Sequence, residues 1–272
     1  MKIFIDSADL EEIQQGFIWG VIDGVTTNPS LLKQALEKRL KKGERVQLKD
    51  YITRILTVAG DAPVSLEVTE YTADGMIAQG KRLYEMFNPV AGNVYIKIPV
   101  NPAFKDEDPT HFDGIRAIRE LTKAGIPVNT TLIFTPEQAL LASKAGAAFI
   151  SPFAGRIDDD LRKKADIAFD KLAYFPAAGM DSETGKLEDN GIVSGLELVK
   201  QCVQVVELYD LKAEVLAASL RNPRQVRETA LAGAHIATLP FVVLEKMLRH
   251  HKTYEGMASF TADAVPEYAQ LG

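Results

Sequence analysis

The sequence predicts an α/β fold in which parallel strands close into one barrel, a single-domain (β/α)8 or TIM barrel over residues 1–272 with an enlarged loop after strand 6. Three observations point there. Short apolar runs alternate with longer helical patterns, as in successive βαβ units. The length suits eight such units. The first strand-to-helix turn, IDSADLEE, lacks the glycine-rich fingerprint of an open nucleotide-binding sheet, so a doubly wound sheet is the weaker alternative.

The elements follow in order. KIFID (residues 2–6) is the first strand, and Ser7 is placed to cap the helix that begins SADLEEI. GVTTN (24–28) is the second, and Pro29 suits the first position of the next helix. The charged stretch near 38–48 reads as a solvated helix end plus loop. PVSLEV (63–68), NVYIKIPV (93–100), IPVNTTLIF (126–134), AAFISPF (147–153), AEVLAAS (213–219) and HIATLP (235–240) supply the remaining strands. Residues 158–191 form a long connection. It starts with a helical piece, DDDLRKKADIAFDKL, and continues as FPAAGMDSETGKLEDNG, whose Gly, Pro, Asp and Ser predict an exposed loop. On that face of a barrel a lid and a tolerated surface insertion both remain open.

Composition narrows the function classes. Hydrophobic residues make up 46% and charged residues 25%, the balance of a soluble globular protein. The net charge is −6 with no basic stripe, which argues against a nucleic-acid partner. No apolar run approaches a membrane span. The N-terminal MKIFIDSADL carries Asp6 where a secretion signal would be apolar. The expectation is a cytoplasmic protein. The single cysteine, Cys202, sits in a helical pattern and reads as a buried structural thiol. No Cys/His cluster offers a metal site.

In a barrel, chemistry gathers at the C-terminal ends of the strands, and alternate side chains face inward. The strand ends here are polar: Asp6; Thr26, Thr27 and Asn28; Glu67; Lys97; Asn129 and Thr131; Ser151 and Phe153, with Arg156 beyond; Ser219, with Arg221 beyond. Most have an ordinary alternative. Asp6 could cap a helix, Asn28 could make a turn, Thr131 could fill a strand, and Arg156 could make a surface ion pair. Glu67 and Lys97 are embedded in apolar neighbours, and their plain alternative is a buried ion pair, a poor route to stability. A desolvated lysine favours its neutral amine, which can condense with a carbonyl to form a Schiff base. That chemistry needs a carboxylate to move protons, and Asp6 and Glu67 are available. Arg156 and Arg221 could grip a phosphate.

The motifs FIDSADLEEI, GVTTNPSLL, SLEV, YIKIPV, VNTTLIF, SPFAGRID and VLAASLRNPRQV, in order from residue 3 to about 226, resemble those of the transaldolase family. The likeness is to its small-barrel branch, which also contains fructose-6-phosphate aldolases. The resemblance implies Lys97 as the Schiff-base lysine and Asp6 as the acid/base at the C4 hydroxyl. It implies Glu67 with Thr131 for the water of imine formation and hydrolysis. It implies Thr27, Asn28, Asn129, Ser151 and Phe153 for the three-carbon unit. Arg156, Ser219 and Arg221 would hold the phosphate, with neither metal nor cofactor. The aldolase branch tends to carry glutamine and tyrosine where this chain has Glu67 and Phe153. Transfer of a dihydroxyacetone unit between sugar phosphates, in the pentose phosphate pathway, is therefore the favoured activity. Aldolase release of free dihydroxyacetone is the alternative, and a catalytically silent sugar-phosphate-binding barrel the third. The branch also implies a homo-oligomer. Segments 101–112 and 158–191 and the charged stretch are longer than the branch's usual form.

Overall fold

A computed structural model describes residues 1–183 and 185–268. In chain order its elements are β1 (Lys2–Asp6), α1 (Leu10–Ile18), β2 (Gly24–Thr26), α2 (Pro29–Lys41), α3 (Leu48–Ala59), β3 (Val64–Glu67), α4 (Ala73–Ala91), β4 (Val94–Pro99), α5 (Asp113–Lys123), β5 (Val128–Ile133), α6 (Pro136–Ala145), β6 (Phe149–Pro152), α7 (Ala154–Lys164), β7 (Asp181–Ser182), β8 (Gly185–Lys186), α8 (Gly195–Leu208), β9 (Glu214–Ala217), α9 (Pro223–Leu231), β10 (Ile236–Leu239), α10 (Phe241–Met247) and α11 (His251–Ala262). Eight strands close in the order β1-β10-β9-β6-β5-β4-β3-β2, all pairs parallel. β7 and β8 are a small antiparallel hairpin outside the barrel. The predicted (β/α)8 barrel is the observed fold.

Strand alternation creates two separate cores. One set of side chains, including Ile5, Val25, Ile96, Ile98 and Val215, packs against the helices. The opposite set fills the barrel with Phe4, Phe149, Leu216, Ala218 and Ile236. Within it Phe4 meets Phe149 edge-on at 5.8 Å, and Tyr95 stacks on Phe149 at 4.6 Å. Each buried aromatic of this kind contributes about 1.5–3 kcal/mol. Gly24 makes room for this plug, since a Cβ there would lie 2.6 Å from the Phe4 ring. The plug is the floor on which the polar strand ends rest.

The strand-to-helix turns repeat one device. Asn28, Thr135 and Asn222 each accept a backbone N–H of the following first turn, and a proline then opens the helix. In α1 the cap is Asp9, not Ser7. The Ser7 hydroxyl instead accepts from the Asp9 N–H and donates to Glu12, so the helix starts later than the sequence suggested.

The long connection also differs from expectation. The helix ends at Lys164, so 165–172 is not helical. Its path is set by buried Arg162, which donates to the carbonyls of Ala173 and Tyr174 and lies between the rings of Phe169 and Phe175. Phe175 is buried in the outer core, so the segment predicted to be an exposed loop is anchored there. Sequence composition registers the Gly and Pro of the loop but not the contact that fixes it. Cys202 is buried on α8, and burial pushes its thiol up to about 12. No helix among the described residues is long and apolar enough to cross a membrane.

Candidate active site

Parallel pairing lines the strand ends up. Asp6 pairs with Thr26 across β1 and β2, and Glu67, Lys97 and Asn129 form one row across β3, β4 and β5. Lys97 lies in the barrel wall and is 6% exposed. Its Nζ donates to the Thr27 carbonyl at 3.2 Å and lies 3.1 Å from Glu67 Oε2. The functional and the plain readings of this pair therefore describe the same contact. A buried ion pair is present, and its lysine borders a polar cavity.

That cavity holds about 100 Å³ and is bordered by Asp6, Asn28, Lys97, Asn129, Ser151, Phe153, Arg156 and Ser219, together with Thr26 and Thr238. Asp6 accepts from Thr26 Oγ1 at 2.9 Å. Thr26 Oγ1 is also 2.5 Å from Thr238 Oγ1. A threonine hydroxyl has one hydrogen. With Thr26 donating to Asp6, the Thr238 hydroxyl must donate to Thr26. Burial is the larger influence on Asp6 and raises its carboxyl above the usual range. Lys97, the Thr26 hydrogen bond and Arg156 pull the other way without cancelling it.

On the opposite wall, Asn129 is held in one orientation. Its Nδ2 donates to Ser65 Oγ at 3.0 Å, and its Oδ1 accepts from Ser151 Oγ at 2.7 Å. Thr27 donates to the Ser65 carbonyl, which ties β2 to β3 beside the lysine. Asn28 spends its Oδ1 on the Leu31 N–H, and its amide nitrogen remains to face the cavity. Phe153 covers the cavity, with Phe134 edge-on at 5.9 Å and the Arg156 guanidinium 4.9 Å from its ring centre.

Two expected residues stand apart. Thr131 is buried where β5 loses register, next to Leu132 at φ 60°, and its hydroxyl has no protein partner among the described residues. It does not border the cavity. Arg221 borders an outer cleft of about 570 Å³ with Arg156, Lys163 and Lys171, and pairs with Asp159 at 2.9 Å. Ser219 adopts φ 63°, a costly conformation for a residue with a side chain. Gly155 lets α7 approach this turn, because a Cβ there would lie 2.1 Å from the Ser219 carbonyl oxygen.

Sequence reasoning missed Thr238, Ser65, Asp158, Asp159 and Gln225. Inward parity from Ile236 would have found Thr238. Nothing local marks the other carboxylates of α7 as partners of residues some sixty positions away. A larger groove of about 830 Å³ lies between α2, α3 and α4 and touches the site at Glu67. Its walls mix leucines with charged and amide side chains, but neither Asp6 nor Lys97 borders it, so the polar groups that converge on the lysine favour the smaller cavity.

The sequence profile of the transaldolase/fructose-6-phosphate aldolase family matches residues 3–270. The chain belongs to this family. Relatives named probable transaldolase include one from Herpetosiphon aurantiacus, 37% identical, with 100% of this chain and 99% of that one covered. Another from Aquifex aeolicus is 36% identical over 98% and 99%. One from Thermoplasma acidophilum is 35% identical over 97% and 95%. Among solved structures, a lactate oxidase of Pediococcus acidilactici aligns at 15% identity with a TM-score of 0.49, covering 90% of this chain and 64% of that one. The cavity brings together a lysine, an acid, two asparagines, an arginine and two serines.

Proposed function

We propose that this chain is a transaldolase acting on sugar phosphates through a Schiff base on Lys97. The observation that carries the reading is the buried Lys97 amine, paired with Glu67 and opening on the cavity that also holds Asp6. A ketose phosphate enters with its carbonyl at Lys97 and its phosphate toward Arg156, Ser219 and Arg221. Lys97 gives up a proton to a neighbouring carboxylate, and the amine adds to the ketone. Loss of water leaves an iminium that withdraws electrons from C3. Asp6 takes the C4 hydroxyl proton as the C3–C4 bond breaks and the aldose phosphate departs. The three-carbon enamine stays on Lys97, hydrogen-bonded by Asn28 and Asn129, until an acceptor aldehyde reverses these steps. Glu67, beside the Lys97 amine, gives the proton that expels water as the imine forms and takes one from the water that finally hydrolyses it; Thr131, which does not border the cavity, reaches this step only through water.

Phe153 supports transfer over aldol release. It places a ring without a hydroxyl against the cavity, so it offers no hydrogen bond to a water attacking the bound unit. The same proposal takes residues 1–272 as one domain with an insertion at 158–191, working in the cytoplasm within the pentose phosphate pathway. A homo-oligomer is part of it. α11 has no buried residue and exposes Tyr254, Met257 and Phe260.

Borohydride reduction with fructose 6-phosphate, followed by peptide mass analysis, tests the reading. It predicts a three-carbon adduct on Lys97, none in Lys97→Arg, and its loss when erythrose 4-phosphate is added before the borohydride. Absence of the adduct from the wild type would reject the Schiff base. Rapid free dihydroxyacetone without an acceptor would reject transfer in favour of the aldolase reading.

A further inference from the structure

Arg221 is gripped at both ends. Its Nη2 donates to Asp159 Oδ2 at 2.9 Å, and its Nε donates to the Ser219 carbonyl at 3.2 Å. Its backbone N–H donates to Gln225 Oε1 at 2.8 Å. Gln225 Nε2 in turn donates to Asp158 Oδ2 at 2.7 Å, and Asp158 Oδ1 accepts from the Gly195 N–H at the start of α8, also at 2.7 Å. Two consecutive carboxylates of α7 thus reach the same arginine, one directly and one through Gln225.

The second route is costly, and its cost indicates its purpose. Asp158 is 3% exposed and Gln225 6%. A buried carboxylate is a poor source of stability compared with an apolar side chain. What it does supply is direction. The Gln225 amide must turn its oxygen to Arg221 and its nitrogen to Asp158. Flipping it would set donor against donor at the Arg221 N–H and, with Asp158 ionised, acceptor against acceptor at its carboxylate. Asp158 therefore fixes the amide, the amide fixes the backbone at 221, and Asp159 fixes the guanidinium. The turn they hold is the one in which Ser219 is strained, pressed against α7 at Gly155. Arg156 projects from the same helix into both the inner cavity and the outer cleft.

We propose that Asp158, Asp159 and Gln225 are positioning residues that set the direction of Arg221, and with it the preference of the site for phosphorylated over unphosphorylated sugars. This rests on the transaldolase reading and deepens it. None of the three touches the reacting atoms.

The test compares two ligands of the full-length protein. Fructose 6-phosphate spans the cavity to its phosphate end. Dihydroxyacetone can form the same imine at Lys97 but has no phosphate to reach Arg221. Asp159→Asn and Gln225→Met are assayed for KM and kcat with fructose 6-phosphate, for inhibition by inorganic phosphate, and for borohydride trapping with dihydroxyacetone. Loss of one hydrogen bond to a charged group corresponds to about a 10- to 100-fold change. The expected result is a KM for fructose 6-phosphate and a phosphate inhibition constant that rise by about that factor, with dihydroxyacetone trapping within about twofold of wild type. Asp159→Glu, which keeps the charge, should recover part of the loss. Equal losses with both ligands, or no loss with either, would overturn the proposal. Circular dichroism identifies folded variants, and either variant alone decides the outcome. Failure of the transaldolase reading itself would look different, because the wild type would then trap neither sugar on Lys97.

Discussion

Neutralising Glu67 while leaving Lys97 in place should cost more stability than neutralising both. The pair is separated by 3.1 Å, with side-chain exposures of 8% for Lys97 and 18% for Glu67. At an effective dielectric of about 20 the gross attraction is roughly 5 kcal/mol. Desolvation of both groups offsets much of it. Breaking a buried pair by removing one partner typically costs about 3–5 kcal/mol, because the other charge is left unpaired. The partial exposure of Glu67 lowers that figure here. Glu67→Gln should therefore cost about 2–3 kcal/mol, since Lys97 keeps only the Thr27 carbonyl. Lys97→Met leaves the more exposed partner, and should cost about 1–2 kcal/mol. The double variant removes both charges of the pair, and Asp6 keeps Thr26 and Arg156 and can take up a proton, so it should lie within about 1 kcal/mol of wild type. Urea unfolding of the four proteins closes the cycle, with a coupling energy of about 3–4 kcal/mol. In thermal melts, each kcal/mol is about 2–4 °C for a chain of this size. Additivity within about 0.5 kcal/mol would refute the argument that the two charges compensate each other in the wall. Activity gives a separate readout, because the double variant should be stable and inactive.

Further predictions follow from single groups. Asp6 must be ionised to accept the C4 proton, and its carboxyl is raised by burial, so kcat/KM should fall on the acid side at a pH above the ordinary aspartate value. A pH–rate profile checks this, and Asp6→Asn should lower kcat by about 10²–10⁴-fold. Burial pushes the Asp158 carboxyl up to about 7, against the opposing pull of the Gly195 N–H, Arg162 and Gln225. A carboxyl raised on folding contributes stability that is full below its unfolded value and is lost as pH rises to its folded value. Denaturant unfolding should thus show the wild type losing stability between about pH 4 and 7, with a shallower decline in Asp158→Asn. Gly155→Ala would set a Cβ 2.1 Å from the Ser219 carbonyl oxygen. It should destabilise by about 1–3 kcal/mol or more and raise the KM for phosphorylated substrates, measurable in melts and steady-state kinetics.

Much of the site could be read from strand parity alone. Two-residue alternation places Asp6 on the face of Phe4 and Ser151 on the face of Phe153, and these residues do line the barrel interior or its cavity. The same alternation, continued through HIATLP, leads to Thr238. By contrast, Arg221 looked like a free cation beyond a strand end. Its partner Asp159 lies 62 positions away, and no local pattern records such a pairing. In the 158–191 connection the loop after Phe175 is exposed or half-exposed as its composition predicts, and what differs is the helix end at Lys164 and the burial of Phe175. The loop's polar composition is visible, whereas the burial of Phe175 depends on where Arg162 and the outer helices lie.

The alternation of strands and helices, the inward face of each strand, the Asn-Pro and Thr-Pro helix starts and a lysine in an apolar run are legible in the chain. All are consequences of short-range periodicity and backbone stereochemistry. It takes the folded barrel to bring Thr26 to Thr238, 212 residues later, to set Glu67 against Lys97, and to hold Arg221 against α7. Those contacts exist because the sheet closes on itself with a fixed register. Closure brings first and last strands together and selects which inward residues share a layer, and that register belongs to the whole barrel.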